Sequence, residues 1–368
     1  MTSDDLAAPD PTPEHEGYHP RMAWLRPLRW GVQLACAAFI VLVGVEFARF
    51  YDAALAGATP LPQRPATVEA LLPLSALLGL KQFLVTGAWD DLHPAGLTIL
   101  LAVVLTAVVA RKGFCSWVCP VGALSRGLEW LGARANLLHR PKRGAKPSAF
   151  GWLAYAPKYL VLAFFAWSIF LLMDGRAVAA FLASPYNHVT DARMLLFFRH
   201  PSTLVLVVIG AFAVGSLFVK HLWCRFVCPY GAMLGLFSWF SPQHVVRDAS
   251  TCTSCKRCTQ VCPVQIRVHS ELRVLTPECT GCTDCIAVCP VDDCLTIARR
   301  GRGGLSPLLV PALAIAALLG AWAVARASGH WHSKLSAEGF AQWYRHAGDV
   351  GHERDGSGPA QDSAGPWE

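Results

Sequence analysis

Two runs of cysteine in the second half of the chain have spacings that could hold a metal cofactor. They share the pattern C-x2-C-x2-C-x3-C-P and read CTSCKRCTQVCPVQIRVHSELRVLTPECTGCTDCIAVCP over residues 252–290. Three thiolates separated by two residues can wrap one corner of an iron–sulfur cubane, and in two-cluster ferredoxins the fourth cysteine of each run ligates the other cluster. The spacing therefore predicts two [4Fe–4S] clusters. The expected ligands are Cys252, Cys255, Cys258 and Cys289 for one cluster and Cys279, Cys282, Cys285 and Cys262 for the other.

Structural zinc sites are the alternative interpretation, because they also use C-x2-C pairs. Zinc needs only four thiolates in two pairs, however, which gives no reason for a third step of two residues. Pro263 and Pro290 disfavour helical geometry at the cysteines before them, which turns those thiolates toward the partner cluster. The pattern favours two cubanes in a small α+β ferredoxin domain. Cys294 breaks the period and is expected to be a buried thiol.

Two further cysteine pairs lie upstream in nearly identical phrases. FCSWVCPVGA contains Cys115 and Cys119, and WCRFVCPYGA contains Cys224 and Cys228. Residues four apart share one face of a helix, and the proline after each pair ends that helix. We expect the four cysteines to meet at one depth. Three interpretations stay open: they bind a further iron–sulfur cluster, they are redox-active thiols or a site for copper or another metal, or they are small buried residues that only pack.

The composition places these motifs in a membrane protein. Of the 368 residues, 54% are hydrophobic and 15% are charged, whereas soluble domains carry about 25% charged residues. Five apolar segments are long enough to cross a bilayer, which takes about 20 helical residues. They cover residues 28–50, 94–111, 153–173, 201–220 and 305–326. A shorter segment at 69–87, interrupted by Pro73 and Lys81, is expected to be an interfacial or re-entrant helical piece.

The distribution of lysine and arginine predicts the topology. These residues are frequent in the loop at 112–150 and the segment 221–304, and fewer lie in the loops at 51–92 and 174–200. Because basic loops stay on the cytoplasmic side, we expect a multi-pass protein of the bacterial cytoplasmic membrane, with the ferredoxin domain inside and the C-terminal tail outside. This topology signal accounts for the net charge of +7, so no nucleic-acid partner is expected.

An internal repeat organises the first four spans. HPAGLTILLAVV starts at His93, HPSTLVLVVIGA starts at His200, and each leads into a C-x3-C-P-x-G-A phrase. The sequence thus predicts a mainly α fold, a polytopic membrane helix bundle of about five spans with an inserted two-cluster ferredoxin domain. The expected divisions are a disordered leader at 1–24, a four-span core of two parallel repeats at 25–243, the ferredoxin domain at 244–300, a transmembrane helix at 301–327 and a mostly disordered tail at 328–368, with a short amphipathic helix near 335–346.

Ionisable residues inside or beside the apolar spans are candidates for a quinol site, because such residues are costly in a membrane and quinol oxidation releases protons. The candidates are Glu46, Lys81, His93 and His200. For Glu46 the alternative is an interfacial ion pair with Arg49. For the two histidines the alternative is capping of the helices that start at the following prolines.

The two C-x3-C-P phrases, followed by the two-cluster segment and one more span, resemble the polyferredoxin-like membrane proteins. These include the NapH-type subunit of periplasmic nitrate reductase systems, the NosR-type protein of nitrous oxide respiration and an assembly factor for cbb3-type cytochrome oxidase. The resemblance covers roughly residues 25–327. It implies an electron-transfer component of a redox complex rather than a stand-alone enzyme, passing electrons between the quinone pool or a cytoplasmic donor and another redox protein or membrane subunit. The alternative is an assembly or maturation factor whose clusters reduce a metal ion or thiols of a respiratory metalloenzyme.

Overall fold

The computed structural model describes residues 22–138, 153–299 and 302–347, which are mainly helical. The α-helices, numbered in chain order, are α1 Leu25–Ala56, α2 Pro73–Thr86, α3 Pro94–Ala110, α4 Pro120–Arg134, α5 Ala156–Trp167, α6 Gly175–Leu182, α7 Pro185–His188, α8 Thr190–Arg199, α9 Thr203–Phe218, α10 Leu222–Phe226, α11 Pro229–Phe237, α12 Arg257–Val261, α13 Asp284–Ala287, α14 Leu309–Ala327 and α15 Ala337–Arg345. The strands are β1 Gln243–Arg247, β2 Leu295–Arg299 and β3 Arg302–Leu305. The predicted mainly α class is confirmed.

Two helices are long and apolar enough to cross a membrane unaided, α1 and α14. Two more spans result if each of two broken helix pairs counts as one span, Ala156–Leu172 with Gly175–Leu182 and Thr190–Arg199 with Thr203–Phe218. Helix α3 is apolar, but its 17 residues extend only about 26 Å. The described residues thus contain two to four candidate spans, and a bundle of five spans stays a prediction. Most of the expected leader lies outside the described residues.

The helices that lead toward the C-x3-C-P phrases end before the cysteines. Helix α3 stops at Ala110 and is followed by Arg111 at φ 55°, and α9 is followed by His221 at φ 49°. A residue with left-handed backbone geometry cannot continue a right-handed helix. A π-helical turn, Phe114–Val118, then carries the first phrase. The second phrase begins in the short helix α10, Leu222–Phe226. Each cysteine pair therefore lies at a short helical turn that is separate from the long apolar helix before it.

The chain divides into two compact units, and the first contains all fourteen cysteines. This cysteine unit comprises Met1–Val41, Leu101–Ser168 and Thr203–Val324. Its antiparallel sheet has the order β1-β2-β3, and Val245 of β1 pairs with Ile297 of β2. Both side chains are buried in one apolar cluster with Val310 and Ala314 of α14. Because both cysteine runs lie between β1 and β2 in the chain, the pairing of these strands closes the two-run segment and packs it against the start of α14.

The second unit comprises Leu42–Leu100, Ile169–Ser202 and Ala325–Glu368. Phe340 and Tyr344 of α15 are buried against Phe47 and Phe50 of α1. The expected short helix near 335–346 is thus present, and it belongs to a core. Apolar side chains four residues apart give α15 a face to bury. The assignment of residues 328–368 to a mostly disordered tail stays a prediction. The tail beyond residue 347 lies outside the described residues.

Candidate metal centres

Five cysteines line a cavity beside the end of β1, and we call it the first cavity. Four of them are Cys252, Cys255, Cys258 and Cys289, the set that the sequence assigns to one cluster, and the fifth is Cys294. The three cysteines of the first run therefore meet the last cysteine of the second run. Cys255 is exposed and Cys258 is buried, so the first cavity reaches solvent on the side of Cys255.

The other four cysteines of the two runs line a second cavity. They are Cys262, Cys279, Cys282 and Cys285, and the cavity is also lined by apolar side chains such as Val264 and Val274. Burial raises the pKa of Cys262 to about 12 and that of Cys282 to about 11. These groups would be neutral thiols at pH 7 without a bound cation. A metal centre would supply the positive charge that turns them into thiolates.

The backbone of both runs follows the same path around its cavity. The residues flanking the second cysteine have left-handed φ values, 55° at Ser254 and 59° at Lys256 in the first run, and 65° at Gly281 and 61° at Thr283 in the second. Left-handed backbone geometry is energetically unfavourable for non-glycine residues. Successive backbone N–H groups in such turns form concavities that bind anions. The loops are therefore shaped to surround a negatively charged group.

The donor set of both cavities fits a [4Fe–4S] cluster. Each cavity has the four sulfurs of its expected ligands. The backbone N–H of Ile266 donates to Sγ of Cys262 at 3.3 Å, the kind of hydrogen bond that tunes iron–sulfur clusters. Gly281, next to Cys282, is in a tight place: its φ is 65°, and a Cβ there would lie 3.2 Å from Cγ1 of Val310. Over residues 22–138, 153–299 and 302–347, no three His, Cys, Asp or Glu side chains are arranged to hold a single metal ion.

The cysteines of the two C-x3-C-P phrases lie near enough for their charges to interact. Burial raises the pKa of Cys115, and negative charge on Cys119, Cys228 and Cys224 raises it further. Burial also raises the pKa of Cys224 to about 12, although its Sγ lies 3.5 Å from the hydroxyl of Ser125. The structure thus places the two phrases in one neighbourhood within the cysteine unit.

The proline and glycine of each phrase position its second cysteine. Cys119 and Cys228 have extended backbones, with ψ of 124° and 108°, and each is the N-cap of the helix that its proline begins. The N–H of Gly231 donates to Sγ of Cys228 at 3.3 Å. A Cβ at Gly122 would lie 2.3 Å from the carbonyl oxygen of Cys115, so only glycine fits there. A sulfur at a helix N-terminus is stabilised as a thiolate, which favours metal binding.

The first phrase is hydrogen-bonded to the loop of the second cavity. The hydroxyl of Ser116 donates to the carbonyl of Thr280 at 2.8 Å, and the indole N–H of Trp117 donates to the carbonyl of Gly281 at 3.2 Å. Trp117 is fully buried. The two acceptors lie between the first two cysteines of the second run. The second cavity and the first C-x3-C-P pair are therefore held together by direct contacts.

A buried ion cluster that the sequence did not reveal fixes the same junction. Arg29 of α1 donates to a carboxylate oxygen of Asp284 at 2.5 Å and to the carbonyl of Ser116 at 2.8 Å, and Gln33 donates to that same carbonyl at 2.8 Å. Arg126 of α4 lies 3.8 Å from the other oxygen of Asp284. Burial and the nearby charge of Arg29 lower the pKa of Arg126 to about 10. In the sequence both arginines look like topology signals, and no local spacing indicates Asp284 as the partner of either one.

The quinol candidates do not come together. They are Glu46, Lys81, His93 and His200, and no hydrogen bond or ion pair joins any two of them in the described part of the chain. Glu46 and His200 are exposed. The buried ammonium of Lys81 donates to the carbonyl of Ile169 at 2.7 Å, and Nε2 of buried His93 lies 2.9 Å from the carbonyl of Asn187. Lys81 and His93 thus contact different parts of the second unit.

Comparison with known proteins identifies iron–sulfur domains at these positions. A family model described as a 4Fe-4S binding domain matches residues 92–145 and 200–246, which include the two C-x3-C-P phrases. A second, described as a 4Fe-4S dicluster domain, matches residues 244–290, which include both cysteine runs. No solved structure matches the chain significantly.

Three similar proteins show how far the likeness extends. The putative electron transport protein YccM of Escherichia coli K12 is 35% identical over 89% of this chain and 93% of its own length. The ferredoxin-type protein NapH of Haemophilus influenzae is 29% identical over 46% of this chain and 55% of its own. The methylamine utilization ferredoxin-type protein MauN of Paracoccus denitrificans is 26% identical over 66% and 79%, respectively.

The apolar helices and the matched cysteine motifs define a membrane iron–sulfur protein. The chain belongs to the family of ferredoxin-type, polyferredoxin-like proteins that includes the NapH and NosR types. The resemblance drawn from the cysteine phrases is thus confirmed.

Proposed function

We propose that this protein is a membrane-bound component of a redox complex and passes single electrons between the quinone pool or a cytoplasmic donor and a redox partner. The observation that carries the proposal is the grouping of eight cysteines around two adjoining cavities, one of which is hydrogen-bonded to a third group of cysteines. The relatives support it, since YccM is a putative electron transport protein and NapH and MauN are ferredoxin-type proteins.

In this proposal each cavity holds one [4Fe–4S] cluster. Cys252, Cys255, Cys258 and Cys289 are the ligands in the first cavity, and Cys262, Cys279, Cys282 and Cys285 are the ligands in the second. When bound, such clusters take up and release single electrons. Three of the four thiols of the second cavity are buried, whereas the exposed thiol of Cys255 leaves the first cavity open to a partner.

The C-x3-C-P cysteines are assigned to a third iron–sulfur centre. The ligands would be Cys115, Cys119, Cys224 and Cys228. Support comes from the family model described as a 4Fe-4S binding domain, which spans both phrases, and from the helix N-terminus at the second cysteine of each phrase. Packing alone would not need a sulfur acceptor at Gly231 N–H. Ligation is therefore favoured over inert burial.

The contacts of the two cavities suggest different roles. The loop of the second cavity touches the first C-x3-C-P phrase through Ser116 and Trp117. The first cavity, by contrast, is lined by the exposed Cys255 and by Arg247 and Lys256. We therefore assign the first cavity to exchange with a cytoplasmic partner and the second to exchange with the centre at the membrane.

A reconstitution experiment tests this function. The full chain, purified anaerobically and placed in liposomes, is mixed with a quinol or with a reduced soluble ferredoxin, and cluster reduction is followed by electron paramagnetic resonance. We expect at least one of the two donors, the quinol or the reduced ferredoxin, to reduce the clusters. The oxidised form of the other carrier, ferredoxin or quinone, should then reoxidise them. The control is the Cys258→Ser/Cys285→Ser variant, which lacks a ligand in each cavity. Clusters that dithionite reduces but that neither donor reduces would contradict the proposal.

A further inference from the structure

Two buried lysines share one buried carboxylate next to the C-x3-C-P cysteines. Oε2 of Glu278 lies 2.5 Å from Nζ of Lys158 and 3.4 Å from Nζ of Lys112. The hydroxyl of Tyr159 donates to Oε1 of the same carboxylate at 2.8 Å. The lysine side chains are 0% and 4% exposed, respectively, and that of Glu278 is 12% exposed. These groups are therefore almost completely removed from water.

This cluster adjoins both the second ferredoxin cavity and the third group of cysteines. Glu278 directly precedes Cys279, a residue that lines the second cavity. The ammonium of Lys112 acts electrostatically on Cys115 and Cys224, and Lys158 interacts in the same way with Cys228. A Cβ on Gly235 of α11 would lie 3.5 Å from Nζ of Lys112. The ammonium group of Lys112 is therefore packed against α11, the helix that starts at the proline of the second phrase.

The charges in the cluster do not balance. Two lysine side chains lie within 4 Å of one carboxylate, that of Glu278, so two formal positive charges face one formal negative charge. A buried charge without a partner is strongly unfavourable. Neutral thiols at the four cysteines would leave the excess positive charge without compensation. A metal centre ligated by four thiolates carries net negative charge and would offset it.

We propose that Lys112 and Lys158 are the counter-charges of an anionic metal–thiolate centre held by Cys115, Cys119, Cys224 and Cys228, and that they set its reduction potential. The inference rests on the third centre of the proposed function and adds the residues that control it. One-electron reduction makes the centre more negative without forming or breaking a bond. Fixed positive charge therefore favours the reduced form and raises the potential, whereas Glu278 lowers it.

Substitutions of opposite sign test this inference in the full-length chain. Lys112→Gln and Lys158→Gln remove positive charge, Glu278→Gln removes negative charge, and Lys112→Arg and Lys158→Arg keep the charge. Lys334→Gln is the remote control, because this lysine is 76% exposed and pairs with Asp91 in the second unit. Each protein is purified anaerobically and titrated by electron paramagnetic resonance. The signal that is lost in the Cys224→Ser/Cys228→Ser variant is assigned to the third centre.

We expect that signal to titrate at a lower potential in both Gln variants of the lysines and at a higher potential in Glu278→Gln. The Arg variants and Lys334→Gln should titrate like the wild type. Loss of the signal in the Gln variants but not in the Arg variants would also support the inference, because the charge would then be needed to hold the centre.

Unchanged potentials in the Gln variants, or equal shifts in the Arg and Gln variants, would overturn the inference while leaving the third centre in place. If no signal depends on Cys224 and Cys228, the third centre itself is refuted and the counter-charge role with it. The signals of the two ferredoxin clusters, measured in the same titration, show whether the rest of the proposed function stands.

Discussion

Cys294 shows why residue type and proximity together do not make a ligand. It lies in the lining of the first cavity with the four proposed ligands. Its side chain is 2% exposed, and its thiol donates to the carbonyl of Asp248 at 3.6 Å. Cys294 also falls outside the C-x2-C-x2-C-x3-C-P spacing that supplies four cysteines to each cluster. We therefore do not assign it as a ligand.

The first prediction compares this fifth cysteine with a proposed ligand. Cys294→Ser should keep the iron content of the wild type, because serine can make the same hydrogen bond to Asp248. Cys258→Ser should lose about four irons per chain. Iron and acid-labile sulfide are measured on anaerobically purified protein. An equal loss of iron in the two variants would show that Cys294 is a ligand.

Helix α4 contains two glycines, Gly127 and Gly132, that differ in their surroundings, because only Gly132 lies against a neighbouring helix. A Cβ on Gly132 would lie 2.1 Å from the carbonyl oxygen of Leu217 in α9, whereas nothing lies within 4 Å of a Cβ on Gly127. The close approach at Gly132 brings the two helices together near the C-x3-C-P phrases. The two glycines thus form a matched pair within one helix.

The second prediction uses this pair. Gly132→Ala should destabilise the cysteine unit by about 1–3 kcal/mol, because the backbone of α9 must move. Gly127→Ala should stabilise it by about 0.5–1 kcal/mol, since alanine favours the helix and meets no neighbour. Thermal unfolding in detergent, followed by circular dichroism, measures both. Equal midpoints for the two variants would refute the close contact.

Glu129 ties α4 to the turn after α9 through an ion cluster. Its carboxylate lies 3.2 Å from Nε2 of His221 and 3.2 Å from Nζ of Lys220. Burial opposes ionisation, but the hydrogen bond and charge of His221, aided by Lys220, hold the pKa of Glu129 below its ordinary value of 4.5. The carboxylate therefore binds its proton less readily in the folded state than in the unfolded state.

The third prediction follows from the sign of this shift. Because the pKa of Glu129 is lower in the folded state, its carboxylate stabilises the fold fully at any pH above the ordinary pKa of 4.5. The stabilisation is lost as the pH falls below 4.5 through the pKa of the folded state. Glu129→Gln should lower the unfolding midpoint near neutral pH, and its difference from the wild type should shrink as the pH falls below 4.5. Thermal unfolding at a series of pH values measures this. A difference that is constant with pH would contradict it.

Over the whole molecule, the sequence predicts what depends on local spacing and misses what depends on distant contacts. The cysteine spacing predicts the two sets of four that line the cavities, because a cubane requires that spacing. The contact between Arg29 and Asp284 joins residues 255 positions apart, so no local pattern could reveal it. Helix α3 ends at Ala110, close to the predicted end of the span at residue 111. The left-handed φ of Arg111 could not be predicted, because non-glycine residues adopt it uncommonly and no local pattern marks it.

The fourth prediction concerns the topology, which rests on the basic loops. We expect five spans, with the cysteine motifs on the cytoplasmic side and the C-terminus outside. Alkaline phosphatase, which is active only outside the cytoplasm, should be active when fused to the C-terminus and inactive when fused after residue 138 or after residue 242. A green fluorescent protein fused at the same positions should give the reverse pattern. An inactive C-terminal phosphatase with a fluorescent C-terminal fusion would contradict five spans.

The central claim is that three groups of cysteines hold three iron–sulfur centres, and iron content tests it most directly. Iron and acid-labile sulfide are measured per chain on anaerobically purified wild type and on the Cys224→Ser/Cys228→Ser variant, together with spectra of the reduced proteins. We predict about twelve irons in the wild type and about eight in the variant, whose two ferredoxin clusters remain. About eight irons in both proteins would contradict the third centre and leave the C-x3-C-P cysteines to thiol chemistry or packing.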